Sequence, residues 1–127
     1  DAVSHAVQGE PRFEIALRGA GAFPSPARPR VLWVGIREGA DRLVRLSRSI
    51  DESTLSSGFG PADKAFRPHL TIGRARGESA GVRAADIISR YSDAFWGTVA
   101  VDCVHVVASV LKPSGPVYTS LARIPLE

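Results

Sequence analysis

Hydrophobic and polar residues alternate along this chain in a way that predicts both strands and helices. Residues 13–18 alternate with period two, as in a half-buried strand, and residues 31–36 are almost continuously apolar, as in a central strand buried on both faces. Residues 66–74 predict a third, shorter strand. Residues 98–111 and 117–124 predict two more, joined by a Pro- and Gly-containing turn as an antiparallel hairpin.

Apolar positions with helical spacing predict two amphipathic helices, over residues 42–55 and 82–91. Residues 1–7 are typical of the tail of a further helix. Residues 19–30 and 77–81 are rich in Gly, Pro or small polar residues and predict loops. These elements together predict an α+β fold of mainly antiparallel sheets flanked by helices.

The strand predicted over residues 66–74 carries the most suggestive chemistry. Because residues i and i+2 of a strand project to the same face, His69 and Thr71 lie side by side, with their apolar neighbours on the opposite face. A proton-transfer group beside a hydroxyl on a rigid strand suits the handling of an anion. Pro68 has no N–H and therefore favours an edge position or the start of a strand.

Two arginines extend this candidate site. Arg67 shares the parity of His69 and Thr71. Arg74 has the opposite parity, and it joins the same face only if Gly73 introduces a bulge or twist, which glycine permits. On that condition the candidate residues are His69 and Thr71 for catalysis and Arg74 for substrate binding. An isolated strand histidine is more often structural than catalytic, so the pattern alone leaves both roles open.

Composition and charge narrow the picture only a little. With 127 residues, of which 44% are hydrophobic, the chain fits one domain over residues 1–127. The net charge is +3, and arginine supplies all but two of the 16 basic residues. Guanidinium groups suit phosphate, so the charge is compatible with a nucleotide or RNA partner, although a GC-rich genome that favours arginine would give the same composition.

Several classes of site are disfavoured. The single cysteine, Cys103, excludes an intramolecular disulfide and a thiolate zinc site, and its apolar surroundings predict a small buried residue. No cluster of ligand-type residues has metal spacing, so no metal or other cofactor is predicted. No apolar stretch reaches the roughly 18–20 residues needed to span a membrane, and no signal peptide is visible. We therefore expect a soluble, cytoplasmic protein with no membrane partner, and the sequence predicts no oligomeric state.

Three segments resemble one protein family. The segment at the predicted third strand resembles the second His-x-Thr-x motif of the two-histidine phosphoesterase superfamily, and within it the RNA 2′,3′-cyclic phosphodiesterases, also called 2′-5′ RNA ligases. Residues 21–35 resemble that family's loop and following strand, and residues 118–126 resemble its last strand, so the likeness extends over essentially the whole chain. The motif reads Phe66-Arg67-Pro68-His69-Leu70-Thr71-Ile72-Gly73-Arg74. Its one small departure is Gly73, where the family often has alanine.

The resemblance implies a two-lobed fold in which each lobe contributes one His-x-Thr motif to a shared cleft. This chain contains one such motif, because neither His5 nor His105 is followed by threonine at the second position. The chain also begins with Asp1 rather than methionine. We therefore expect that an N-terminal portion with the first motif precedes it, the alternative being a natural relative with one histidine.

The resemblance also implies an activity, which is the metal-free hydrolysis of RNA 2′,3′-cyclic phosphate ends, or of cyclic nucleotides, to 2′-phosphates. Ligation to a 2′-5′ linkage would be the reverse reaction. His69 would be the general base and the histidine of the missing motif the general acid. Thr71 would hold a non-bridging oxygen, and Arg74 would pair with phosphate or stack on the base.

Two alternatives remain open. The chain could instead be a non-catalytic nucleotide- or RNA-binding domain that retains one motif. If the chain is part of an enzyme, we expect this fragment to be impaired on its own. Phe23 and Trp33 could stack on a nucleobase or pack in the core, and Arg28 and Arg30 could line a phosphate-binding rim or a solvated loop. None of these four is counted among the site residues.

Overall fold

The structure is a computed structural model that describes residues 1–75 and 80–127. It contains helices and mainly antiparallel strands, so the predicted α+β class is confirmed. The elements, in chain order, are α1 (Ala2–Ala6), β1 (Phe13–Ser25), β2 (Arg28–Ile36), α2 (Ala40–Ser56), β3 (His69–Arg74), α3 (Ala80–Arg90), β4 (Phe95–Val101), β5 (Cys103–Lys112) and β6 (Gly115–Pro125).

Four of the strands form one sheet in the order β3-β2-β1-β4. The strands β1 and β2 are antiparallel, as are β2 and β3. The interior position of β2 confirms the predicted central strand. Its predicted burial on both faces is wrong, because Val34 is buried while the other residues of 31–36 are only half-buried. The strand β3 lies at the edge, as expected for a strand that directly follows Pro68.

The chain forms two compact units, which we describe separately. The hairpin unit comprises Asp1–Phe13, Arg45–Ala65 and Ala100–Glu127, and the sheet unit comprises Glu14–Val44 and Phe66–Val99.

The hairpin unit is built on β5 and β6, which pair antiparallel from Cys103 opposite Pro125 to Lys112 opposite Gly115. This confirms the predicted hairpin, and its connection is the two residues 113–114. The unit's core is a cluster of Val7, Leu46 and Leu126, and half-buried hydrophobic side chains pack around it. Burial of these apolar side chains away from water is the main contribution to the stability of this unit.

The sheet unit contains most of the four-stranded sheet and α3, which contacts β2. Its buried apolar residues come from β1, β2 and α3, and they are Ile15, Ala16, Ala22, Val34 and Ala84. Alternation along β1 and β2 places Ala22 and Val34 on one face of the sheet, which leaves the opposite face for larger or polar side chains.

Three local predictions need correction. The loop predicted over residues 19–30 is only the two-residue turn at 26–27. Residues 19–25 continue β1, because a register shift between Leu17 and Ala20 absorbs the glycine-containing segment without ending the strand, and residues 28–30 begin β2. The predicted strand over residues 98–111 is two strands, because β4 belongs to the four-stranded sheet and β5 pairs with β6 in a separate sheet. The predicted strand over residues 66–74 begins only at His69.

Other predictions have mixed outcomes. The helices predicted over residues 42–55 and 82–91 are confirmed as α2 and α3, and the helix predicted at the start is α1. The loop predicted over residues 77–81 lies largely outside the described residues, and α3 already begins at Ala80. Cys103 was predicted to be buried but is only half-buried, because its strand belongs to a two-stranded sheet. Its sulfur lies 3.5 Å from His105 Nε2.

Membrane-spanning helices and metal-binding clusters are both absent from the described ranges. None of their helices is long and apolar enough to cross a membrane. Within residues 1–75 and 80–127, no three or more His, Cys, Asp or Glu side chains are grouped so that they could hold a metal ion.

Candidate active site

The candidate site lies on the edge strand β3, within the sheet unit. Its register against β2 places His69 opposite Gly35 and Thr71 opposite Trp33. Directly opposed residues of an antiparallel pair project to the same face, so these four positions share one face of the sheet.

A bulge in β3 brings Arg74 to the same face. Leu32 is opposite Gly73 while Trp33 is opposite Thr71, so Ile72 is an extra residue on the bulged strand. The extra residue reverses the alternation, and Arg74 therefore lies opposite Val31, which has the parity of Trp33. This is the bulge that the sequence required before Arg74 could join His69 and Thr71.

The His69 ring is oriented by its own backbone. Its Nδ1 atom lies 2.5 Å from the carbonyl oxygen of Arg67. A carbonyl oxygen only accepts, so Nδ1 carries the proton and the neutral ring keeps its lone pair on Nε2. The side chain is exposed, and Nε2 has no hydrogen-bond partner in the part of the chain that the structure describes. The ring can thus accept a proton from a bound molecule.

Two aromatic rings flank His69 that sequence reasoning left out of the site. The Phe23 ring meets the imidazole edge-on, with centroids 5.0 Å apart, and the Trp33 centroid lies 6.4 Å from that of His69. Phe23 and Trp33 also contact each other at 5.3 Å. The sequence pattern did not show that residues 19–25 continue β1. Because they do, Phe23 lies opposite Val31 and therefore on the same face of the sheet as His69.

Trp33 occupies its place because residue 21 is glycine. A Cβ atom at Gly21 would overlap the Trp33 ring, so the indole lies directly over the Gly21 backbone. The Trp33 Nε1 atom is buried and has no acceptor among the described residues. Such an unpaired donor costs about 1–3 kcal/mol, which packing of the ring must offset. Trp33 is therefore a fixed wall of the site.

Arginine adds positive charge around this face. The Arg67 guanidinium carbon lies 6.0 Å from the centre of the Phe23 ring, and both Arg67 and Arg74 are exposed. Thr71 is also exposed. The face therefore combines one proton acceptor, one hydroxyl and two cations, which is a group of side chains suited to a phosphate.

The chain matches a known family over most of its length. A sequence model of the 2′-5′ RNA ligase superfamily matches residues 1–111. The chain belongs to this superfamily. The matched residues include the whole of β3, and therefore the candidate site.

Several relatives carry the name RNA 2′,3′-cyclic phosphodiesterase. One from Archaeoglobus fulgidus is 40% identical over 109 residues, which cover 86% of this chain and 60% of the relative. One from Aeropyrum pernix is 37% identical over 113 residues, which cover 89% of this chain and 64% of the relative. The chain thus spans less than two thirds of the length of these relatives.

Solved structures are similar to this chain as well. TT0787 of Thermus thermophilus superposes with a TM-score of 0.75 at 28% identity, over 98% of this chain and 66% of that one. Escherichia coli LigT in complex with 3′-AMP superposes with a TM-score of 0.66 at 26% identity, over 98% of this chain and 67% of that one. The two-histidine phosphoesterase fold inferred from the motif is confirmed for the portion present here.

Proposed function

We propose that the protein is an RNA 2′,3′-cyclic phosphodiesterase that opens cyclic phosphate ends to 2′-phosphates, with His69 as general base. The observation that carries the proposal is the His69 ring, which is held through Nδ1 by a carbonyl oxygen and presents Nε2 on the same face as Thr71 and Arg74.

The chemistry divides into one bond formed and one broken. A water oxygen attacks phosphorus while its proton passes to Nε2 of His69, and the bond from phosphorus to the ribose 3′ oxygen breaks. The 3′ oxygen departs on the side opposite to the attacking water, so one imidazole cannot serve both ends. A separate acid must protonate it.

The acid is expected from the family's first His-x-Thr motif. The other two histidines of this chain, His5 and His105, belong to the hairpin unit and lack the threonine of the motif. The same acid and base would run the reaction backwards, which is how 2′-5′ ligation would arise from one site.

Thr71 and Arg74 would stabilise the phosphate as its charge increases. The Thr71 hydroxyl can donate to a non-bridging oxygen, and the Arg74 guanidinium can pair with another. Both act from fixed positions on a strand, so little reorganisation is needed as the transition state forms. None of these steps requires a metal ion.

The names of relatives and of solved complexes support the substrate class. Relatives that are 37–40% identical are called RNA 2′,3′-cyclic phosphodiesterases. LigT has been solved with NADP⁺ and with 3′-AMP. Both ligands are adenine nucleotides with a phosphate on the 2′ or 3′ side of a ribose, and they therefore resemble the two sides of a cyclic phosphate.

The test is turnover of adenosine 2′,3′-cyclic phosphate by the full-length protein in the presence of EDTA. We expect adenosine 2′-phosphate as the product, and a loss of about 10²–10⁴-fold in kcat for His69→Ala. His5→Ala is the matched control, because His5 is an exposed residue of α1. Undiminished turnover in His69→Ala, or complete loss with EDTA, would overturn the proposal. Binding of cyclic nucleotide without turnover would instead favour the non-catalytic domain.

A further inference from the structure

A groove opens in the sheet unit beside the candidate site. It has a volume of about 290 Å³, and its walls include Arg18, Arg37, Trp33, Gly35, Pro68 and Ser92. Three of these residues also adjoin His69: Pro68 precedes it, Gly35 lies opposite it, and Trp33 flanks its ring. The groove is therefore continuous with the surface on which His69 is exposed.

The groove leads away from His69 in the direction opposite to Arg74. Along β2, Val31 lies opposite Arg74 and Gly35 lies opposite His69. Arg37 follows Gly35 by two residues. The backbone N–H of Arg37 donates to the Ala16 carbonyl, and this hydrogen bond continues the pairing of β2 with β1. At roughly 3.3 Å per residue, Arg37 lies roughly 7 Å beyond the level of His69. His69 thus has a cation on either side along the sheet.

Two guanidinium groups converge at this end of the groove. Arg37 Nη1 lies 2.6 Å from an Asp93 carboxylate oxygen, and Arg18 Nη1 donates to the Asp93 carbonyl at 3.3 Å. The Arg18 guanidinium also lies over the Phe95 ring, 5.2 Å from its centre. These contacts hold two positive charges close to one carboxylate. The three side chains Arg18, Arg37 and Asp93 together therefore carry a net charge of +1.

The carboxylate can give way to a ligand. In the Arg37–Asp93 pair the side chains are 55% and 75% exposed, and an ion pair so open to water contributes little to stability. A phosphate offers three acceptor oxygens and matches a guanidinium fork at least as well as a carboxylate does. Exchange of Asp93 for a phosphate on Arg37 therefore costs little.

We propose that Arg37 and Arg18 bind the phosphodiester on the 5′ side of the terminal ribose when His69 acts on a cyclic phosphate end. This inference rests on the proposed function and names the specificity of the same site: an oligoribonucleotide end is preferred over a free cyclic nucleotide. The groove's volume admits one phosphate with part of its sugar, and it lies just below the range for ligand pockets, about 300–1,000 Å³.

The test compares three substrates in the full-length protein. They are adenosine 2′,3′-cyclic phosphate, the same molecule with a 5′-phosphate, and an adenylyl dinucleotide that ends in the cyclic phosphate. We expect kcat/KM to rise in that order at low salt. Arg37→Gln should lower kcat/KM about tenfold for the two substrates with a 5′ phosphate group, the effect of losing one charge-assisted hydrogen bond, and leave the first unchanged. Arg18→Gln should act in the same direction.

Arg90→Gln is the matched control. Arg90 is an exposed arginine of the same unit that pairs with Asp86 at 3.0 Å, and it does not line the groove. The salt dependence provides a second measurement: the slope of log(kcat/KM) against log[salt] for the dinucleotide should decrease by about one in Arg37→Gln.

The outcomes separate this inference from the proposed function. If wild type turns over none of the three substrates, the proposed function fails. If it turns over all three equally, or if Arg37→Gln and Arg90→Gln behave alike, only the phosphate subsite is overturned. A higher kcat/KM for the dinucleotide without a higher kcat/KM for the substrate with a 5′-phosphate also overturns the phosphate subsite, since the groove would then be binding a nucleobase.

Discussion

The Nδ1 atom of His69 lies 2.5 Å from the carbonyl oxygen of Arg67, two residues earlier in the chain. Only Pro68 separates the two residues, and its ring fixes φ at about −65°, which limits how far the Arg67 carbonyl can turn away. The orientation of the imidazole is therefore set by local backbone, and no acidic side chain of the described residues hydrogen-bonds the ring. Because Nδ1 is occupied, all proton transfer falls to Nε2.

The first prediction separates the position of the ring from its chemistry. In His69→Asn the side-chain amide nitrogen lies near the position that Nδ1 occupies in the wild type, and it can still donate to the Arg67 carbonyl. The variant has no proton acceptor at the position of Nε2. We expect kcat for adenosine 2′,3′-cyclic phosphate to fall by about 10²–10⁴-fold, while the Kd for adenosine 2′-phosphate changes only a few-fold. Steady-state kinetics and calorimetry measure the two quantities.

His69→Gln is the companion variant. Its amide reaches towards the position of Nε2 and does not restore the contact with Arg67, so we expect the same loss of kcat together with weaker product binding. Retention of substantial kcat in either variant would show that Nε2 is not the base.

Some of this site could be predicted from the sequence and some could not. His69 and Thr71 follow from period-two alternation, which needs no tertiary information. The position of Arg74 depends on a bulge, and glycine at position 73 permits a bulge without requiring one. The register against β2 decides between the two cases, and register depends on contacts between strands that are distant in sequence.

Phe23 shows a second kind of limit. Its neighbourhood is rich in Gly and Pro, which locally favour a loop, yet the segment extends β1 as far as Ser25. Tertiary pairing with β2 prevailed over local propensity, as it commonly does in strands. The division between β4 and β5 could not be predicted for a related reason, since both are apolar and β-prone and only their different partners distinguish them.

The second prediction concerns the Thr71 hydroxyl. Thr71→Val keeps the shape and strand preference of the side chain and removes only the hydrogen-bonding group. We expect kcat/KM to fall by about 10- to 100-fold, the range for a hydrogen bond to a charged group. Because Thr71 is exposed, Tm should hardly change. Thr71→Ser, which keeps the hydroxyl, should lie within a few-fold of wild type, and equal losses in the two variants would argue against the assigned role.

The third prediction tests the wall formed by Trp33 over Gly21. A Cβ at position 21 would overlap the indole, so Gly21→Ala must displace the ring from its place beside His69. We expect a loss of about 1–3 kcal/mol in the free energy of unfolding, together with reduced kcat/KM.

The double variant Gly21→Ala/Trp33→Leu provides the control, because the smaller side chain leaves room for the new methyl group. The two substitutions should therefore be non-additive, with a coupling of about 0.5–3 kcal/mol by chemical denaturation. Strict additivity would mean that the indole does not lie on Gly21.

The fourth prediction concerns acid stability. The hydrogen bond from Arg37 and then its charge hold the pKa of Asp93 below the ordinary value of 3.8. A carboxyl whose pKa is lower in the folded state stabilises the fold above its unfolded pKa, and this contribution is lost as pH falls through the folded value. Between pH 5 and strongly acidic pH, wild type should therefore lose slightly more stability than Asp93→Asn, a small difference because the pair is exposed. Thermal unfolding at a series of pH values measures this, and Arg37→Gln should flatten the profile in the same way; identical profiles for wild type and Asp93→Asn would contradict it.

The last prediction uses two glycines to separate backbone strain from steric overlap. Gly39, just before α2, has φ of +85°, and Gly58, just after it, has φ of +98°. Alanine is disfavoured at both, by about 1–2 kcal/mol. At Gly39 a Cβ would also lie 2.5 Å from the Glu14 carbonyl oxygen and 2.8 Å from Ile15 Cγ2, whereas at Gly58 no atom of the described residues lies within 4 Å. We expect Gly39→Ala to destabilise the protein by about 1–3 kcal/mol more than Gly58→Ala, as measured by urea denaturation.

The backbone of β1 is one of the two contacts and cannot move without disturbing its pairing with β2, so the overlap cannot be relieved by a side-chain rotation alone. Equal losses in the two variants would show that the connection from β2 to α2 can shift away from β1.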